Sequence, residues 1–181
     1  MLVHKTESPI HELALAQLEI LGDSDNSAWA CIRRIVEVTD QHWKLEESTE
    51  PEDLDVFDNW NWEEHHYGVE YRSAWLPHPV HGEYRSPWSP ENDNPDDCWS
   101  ASDAGVQARI TLAGGGPAVR IVAALDGYGC SDQFIIEHAN WSSWEEIDLA
   151  RDDRLPDYVR DHVFNMVARY IQHVAGWVQE L

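Results

Sequence analysis

Apolar residues recur along this chain with two different periods, and the changes of period divide it into elements. Ser8-Pro9 opens a helix, with Ser as N-cap and Pro at the first helical position. Ile10, Leu13, Leu18 and Leu21 follow at helical intervals, and Gly22 supplies a stop. Asp23-Ser24-Asp25-Asn26 reads as a turn and a fresh cap. Trp29, Ile32, Ile35, Val36 and Trp43 then predict a second amphipathic helix over about 27–44. From Tyr67 the period drops to two: Tyr67, Val69, Tyr71, Ser73 and Trp75 share one face of a strand. Residues 106–113, 118–125 and 133–138 read as three further strands. Gly114-Gly115-Gly116-Pro117 and Asp126-Gly127-Tyr128-Gly129 are the turns between them. Ile121, Val122 and Leu125 put apolar side chains on both faces of the middle strand, which predicts a central position. A last helix begins near Pro156, with Val159, Val163, Met166, Val167, Tyr170, Ile171, Val174 and Val178 as its stripe.

The expected fold is therefore α+β: an antiparallel sheet of about four strands, a meander, packed by two N-terminal helices and one long C-terminal helix. Residues 1–181 read as a single domain without internal repeats. Two stretches stand outside the periodic pattern as insertions. Residues 76–104 carry Pro77, Pro79, Pro87, Pro90 and Pro95 among Asp, Asn and Ser. A connection this long is functional or disordered as a rule. Residues 46–64 hold Glu46, Glu47, Glu50, Glu52, Asp53, Asp55, Asp58, Glu63 and Glu64 with no intervening Lys or Arg, and Trp60 and Trp62 are interleaved. Pro51 and the charge argue against a stable helix across the centre of this tract.

Charge changes the picture further. The chain has 34 acidic and 12 basic residues among 181, a formal net charge of −22. Duplex DNA carries one charge per ~1.7 Å, so such a charge matches about 37 Å of duplex. A domain of this length has a diameter of about 40 Å. The leading expectation is an acidic decoy that fills a basic DNA-binding groove on another protein. Direct binding to nucleic acid is disfavoured, because readers need a basic footprint and the only lysines are Lys5 and Lys44. Anionic membrane surfaces are disfavoured for the same reason, and no apolar run is long enough to span a bilayer. Cys31, Cys98 and Cys130 are sparse and odd in number, which points to free thiols in a reducing compartment. The N-terminus lacks the pattern of a signal peptide. The expected location is the cytoplasm. Adaptation to high salt is a rival account of the charge, although ten Trp do not follow from it.

Three segments resemble one family. They are Glu12–Leu21 (ELALAQLEIL), Val69-Glu70-Tyr71-Arg72-Ser73-Ala74-Trp75, and Gly115-Gly116-Pro117-Ala118-Val119-Arg120-Ile121 with the WSSWEE stretch that comes after it. They are similar to the AQLESI helix, VEVRSGW strand and GGPAVRI hairpin of small acidic proteins of bacteriophages, prophages and plasmids. Ala139-Asn140-Trp141 departs from the Asp-Trp-Gly type of motif expected at that point. The resemblance implies a mobile-element origin and the same meander, and it carries over no catalytic residues. Mobile elements must disarm restriction and CRISPR nucleases, which fits the decoy reading.

Other chemistry finds less support. His65-His66, His78, His81 and Cys98 do not form a zinc pattern, and neighbouring His on extended chain point to opposite faces. Asp53, Asp55, Asp93, Asp96 and Asp97 lack the glycine and terminal Glu of a calcium loop. Gly114-Gly115-Gly116 precedes Pro rather than Lys-Ser/Thr, so it is no phosphate loop. Cys98 beside Asp96-Asp97 is set against thiolate formation. No metal, cofactor or catalytic residue is expected. The expected partner is a host defence complex with a basic groove. Glu46, Glu47, Glu50, Glu52, Asp53, Asp55, Asp58, Glu63 and Glu64 would stand in for phosphates, and Trp60 and Trp62 would act as anchors. Trp60, Trp62, Trp88 and Trp99 fit equally a second role, pinning polar segments onto the body. An immunity or antitoxin-like protein that neutralises a basic toxin would show the same acidity. The chain is expected to act as a monomer or a homodimer.

Overall fold

A computed structural model describes residues 8–22, 27–72, 107–114, 118–125, 133–140 and 143–176. The elements run α1 (Pro9–Gly22), α2 (Ser27–Glu46), α3 (Pro51–Asp58), a 3-10 turn (Trp62–His65), β1 (Gly68–Arg72), β2 (Gln107–Ala113), β3 (Val119–Ala124), β4 (Gln133–Asn140), β5 (Ser143–Ile147) and α4 (Asp157–Ala175). The strands form one antiparallel sheet in the order β1-β2-β3-β4-β5, so each hydrogen-bonds its sequence neighbour. The α+β meander is thus the one the periodicity predicts, with β3 in the centre and five strands rather than four. The additional strand is β5, whose Trp144, Glu145 and Glu146 are all exposed. It is an acidic edge strand with one buried anchor, Ile147, and therefore lacks the alternation that marks a half-buried strand.

Register explains where the core sits. Val69, Ile110, Ile121, Ile136 and Ile147 pair in turn across all five strands and form one apolar row. The four isoleucines are essentially inaccessible, each contributing about 1.5–3 kcal/mol of transfer free energy. Beside it runs Tyr71, Ala108, Ala123 and Phe134. α1, α2 and α4 pack on one another, and α2 also meets β3 and β4. Trp29, Ile32, Ile35 and Val36 from α2 join Val159, Val163, Met166, Val167, Tyr170 and Ile171 from α4 in a single buried cluster with these rows. On the other face charges pair across strands. Arg109 meets Glu70 at 2.7 Å, and Arg120 pairs with Glu137 while its guanidinium lies 3.8 Å over the Trp144 ring.

One helix is rotated from its expected face, and a second loses one expected core residue. The buried side of α1 is His11, Ala14 and Leu18, and Leu13 is 37% exposed. ELALAQLEIL is apolar nearly all round, so its period leaves the angle open and polar contacts decide it. His11 Nδ1 lies 3.2 Å from His162 Nε2 on α4, and its Nε2 lies 3.4 Å from Asp40 on α2. On α2, Trp43 belongs to the rim rather than the core. Its Nε1 donates to Glu47 at 2.8 Å, and the Arg169 guanidinium lies 4.3 Å from the ring centre.

The largest departure concerns residues 46–64. Pro51 does not interrupt a helix there; it starts one, as the first residue of α3. Proline at this position loses no hydrogen bond, because the first helical N–H groups have no intrahelical partner. Glu52 and Asp53 lie in the first turn, where the helix dipole favours negative charge. The insertion at 76–104 lies outside the described residues, as do Trp75, His78, His81, Trp88, Cys98, Trp99, Cys130, Trp177 and the two turns around β3.

Candidate interaction surface

The acidic tract is ordered from both ends. At its start the Ser48 hydroxyl donates to Asp53 at 2.6 Å and accepts from the Glu50 N–H at 3.2 Å, which shapes the entry to α3. At its end Asn59 caps the helix, its amide donating to the Asp55 carbonyl at 2.7 Å. Asn61 then caps the 3-10 turn by accepting from the Glu63 N–H at 3.1 Å.

No residue of α3 is buried. What fastens this arm, residues 50–66, is a cluster of rings from α2, α4 and the arm itself. Trp62 stacks nearly parallel on His173 of α4, with centroids 5.0 Å apart and an 11° interplanar angle. It also meets His42 of α2 at 4.7 Å and Tyr170 of α4 at 5.7 Å. Trp60 packs against His42, Trp62 and His65, and Phe57 of α3 against His42. His42 and His173 are themselves 4.7 Å apart. Two polar tethers assist: the Tyr170 hydroxyl donates to the His65 carbonyl at 3.2 Å, and Arg34 reaches the Glu64 carbonyl at 3.5 Å. Burial drives the electrostatics of the cluster. It holds His42, His65 and His66 below the usual imidazole range, and brings His173 down to about 4, helped by His42 and Arg169. Burial likewise pushes the Tyr170 phenol up.

The structure therefore places Trp60 and Trp62 half-buried against the body, where they pin the arm. The carboxylates divide into two groups. Glu46 ends α2 and is paired with Arg169 at 2.6 Å, and Glu47 accepts from Trp43. Glu50, Glu52, Asp53, Asp55, Asp58, Glu63 and Glu64 make no ion pair among the described residues, and all but the half-buried Asp53 are exposed. Elsewhere most of the described cations pair with acids. Arg33 takes Glu19 and Glu37, Lys44 takes Asp40, Arg154 takes Asp152, and Arg160 takes Asp157. Among the described residues Glu12, Glu146, Asp153 and Asp161 also lack an ion pair, but only α3 and the turn that follows it gather several such carboxylates in one short segment.

An eight-residue helix is about 12 Å long, and α3 carries Glu52, Asp53, Asp55 and Asp58. That is one charge per about 3 Å, close to the ~3.4 Å per charge of one DNA strand. Leu54, Val56 and Tyr67 are exposed beside these acids, at 44%, 50% and 78%. Among the described residues no group of His, Cys, Asp or Glu is arranged to hold a metal ion, and no helix is long and apolar enough to cross a membrane. Cys31 is a free, half-buried thiol pushed up by burial. It borders a small cavity of about 30 Å³ with Arg34, His65 and Tyr170.

His42, His173, Phe57 and Tyr170 are the members of this site that do not stand out in the sequence. Their signal is positional. His42 continues the Ile35–Val38–Thr39 face of α2, and His173 continues the Met166–Tyr170 face of α4, so each imidazole sits where an apolar residue is expected. No family model, curated protein or solved structure matches this chain.

Proposed function

We propose that this protein inhibits a host defence nuclease system, of CRISPR or restriction type, as an acidic mimic of DNA. The observation that carries the reading is the arm of carboxylates, Glu50 to Glu64, without ion pairs among the described residues and ordered on α3 and its 3-10 turn, with α3 at about the linear charge density of a nucleic-acid strand. A mobile, evenly hydrated coat would have neither the caps nor the ring cluster. The resemblance of residues 69–75 and 115–121 to proteins of mobile elements supplies the biological setting. In this role the arm lies in a Lys/Arg-lined groove, each carboxylate replacing a phosphate in a charge-assisted contact. Association is fast at low salt and slows as salt rises. The role is non-enzymatic, calls for no cofactor, and places the chain in the cytoplasm of a bacterial host.

The test is competition for DNA loading on a panel of purified CRISPR surveillance complexes and restriction endonucleases. The reading expects at least one of them to lose DNA binding in the presence of the protein. It expects that effect to vanish when Glu50, Glu52, Asp53, Asp55, Asp58, Glu63 and Glu64 are all changed to their amides. Failure to bind or block any of them overturns it.

One observation favours a second reading. Leu54, Val56 and Tyr67 are apolar and exposed among the acids, a mixture that suits a pocket on one cognate cationic protein such as a basic toxin. That reading expects a stoichiometric complex resistant to high salt, with no effect on DNA loading.

A further inference from the structure

The ring cluster that fastens the arm, together with His66 next to it in sequence, contains polar atoms that find no partner. His42 Nδ1, Trp60 Nε1, His65 Nδ1 and His66 Nδ1 are all buried without a hydrogen-bond partner. The rest of the described structure adds only Thr39 Oγ1 and Arg160 Nε, so four of the six such atoms fall in one patch. Native proteins hold few unsatisfied groups of this kind, and a local concentration calls for a reason.

Protonation supplies one. A neutral imidazole can leave Nδ1 as a bare lone pair and keep its single proton on Nε2. An imidazolium carries N–H on both nitrogens and needs two acceptors. His42, 6% exposed and ringed by Phe57, Trp60, Trp62 and His173, has none at Nδ1. His65, against Trp60 and Trp62, has none at Nδ1 either. The neighbouring charges do not reverse this. Around His42 and His173, Glu46 of α2 favours the cation, while Arg169 of α4 opposes it at both and His42 opposes it at His173. Around His65, Glu64 favours it and Arg34 and His66 oppose it. His66 feels the Trp62 carbonyl and Glu63 in favour. For each of the four, burial outweighs the charges that favour the cation.

We propose that the arm is a proton-released latch: residues 50–66 stay docked only while the imidazoles of the ring cluster are neutral, and acidification swings the arm off the α2–α4 body while the sheet and its helices stay folded. The attachment suits release. α3 buries no residue, whereas α4 buries seven, and segments with little buried surface open at low cost. Opening also hydrates the orphaned Trp60 N–H.

The sign follows from linkage. The arm helps to bury each histidine and so to hold it below its ordinary value of 6.5, and docking is therefore at full strength above that value and weakens as the pH falls below it. For His173, docked near 4, full recovery of the ordinary value would raise the population of the open arm about 30-fold at pH 5 relative to pH 7.5, an upper bound because His42 and Arg169 stay beside it on the body. Protonating the arm's carboxylates would relieve repulsion and favour docking, so they act with the opposite sign.

The experiment is hydrogen–deuterium exchange of the full chain from pH 7.5 to 4.5, corrected for intrinsic rates, following peptides of residues 45–66 and peptides of β3. The expected result is loss of arm protection with a midpoint between pH 6.5 and 4, at least tenfold by pH 5, while β3 remains protected. The double variant His42→Phe/His173→Phe keeps the rings but cannot take a proton, and it should retain arm protection at least one pH unit lower. Unchanged arm protection at pH 5 overturns the proposal. So does loss of arm and β3 protection at one common midpoint, or release of a folded Phe variant at the wild-type pH. None of these outcomes bears on the identity of the partner, so the latch and the nuclease-inhibitor reading fail separately.

Discussion

Replacing Asp55 and Asp58 by Asn should strengthen the arm, although these residues belong to its proposed binding surface. Glu52, Asp55 and Asp58 stand three residues apart on an exposed helix with no cation among them. Like-charged neighbours at this spacing cost about 0.2–0.5 kcal/mol each. The double change removes the 52/55 and 55/58 repulsions, or about 0.4–1 kcal/mol in total. Asp58 is also the last residue of α3, where the dipole disfavours an anion by about 0.3–1 kcal/mol. The sum is about 1–2 kcal/mol in favour of the docked, helical arm, a factor of about 5–30 in its opening equilibrium. The caps are untouched, since Asn59 bonds the Asp55 main-chain carbonyl. The assay is amide exchange of residues 50–66 at pH 7.5. It should slow by about 5–30-fold in ~10 mM salt, where the Debye length is about 30 Å. The gain from removed charge should shrink in ~1 M salt, where that length is about 3 Å. Unchanged exchange at low salt, or an equal gain at both salts, would mean that these carboxylates are already compensated. The idea of an uncompensated acidic arm would then fall. The same variant should bind any partner more weakly and with a slower on-rate. On the proposed reading, such a site gives up stability because its charges are arranged for a partner.

Two further substitutions separate the arm from the core. Trp62→Ala removes the ring that touches His42, Trp60, His65, Tyr170 and His173, a change that costs about 3–5 kcal/mol where a Trp is fully buried; arm amides should lose protection while the urea midpoint of the sheet moves little, and a large global shift would show that the arm is part of the main cooperative unit. Ile121→Ala, at the centre of the isoleucine row, should lower global stability by about 2–5 kcal/mol in urea denaturation, and a loss below 1 kcal/mol would contradict the placement of the core.

Much of the architecture was legible because it rests on local pattern. Period two from Tyr67, turn-bounded runs at 106–113, 118–125 and 133–138, period 3.6 around Trp29 and Val163, and Ser8-Pro9 as a helix start each express a rule that neighbouring residues settle among themselves. The net charge, too, is a sum that needs no coordinates. β5 escaped because an edge strand with a single buried residue resembles an acidic loop until β4 is seen to pair with it. α3 escaped because proline has opposite effects at the first position and in the middle of a helix, and the tract's composition does not say which applies.

The sequence by itself determined four strands of the meander, its three long helices and the surplus of carboxylates. It left open which carboxylates are neutralised and what the two tryptophans of the acidic tract do. Those points were decided by contacts between residues far apart in the chain: Arg169 with Glu46, separated by 123 positions, and His42 and His173 closing on Trp62. Period reports which way a side chain faces, whereas the company it meets there depends on how whole elements stack, and only the folded molecule contains that information.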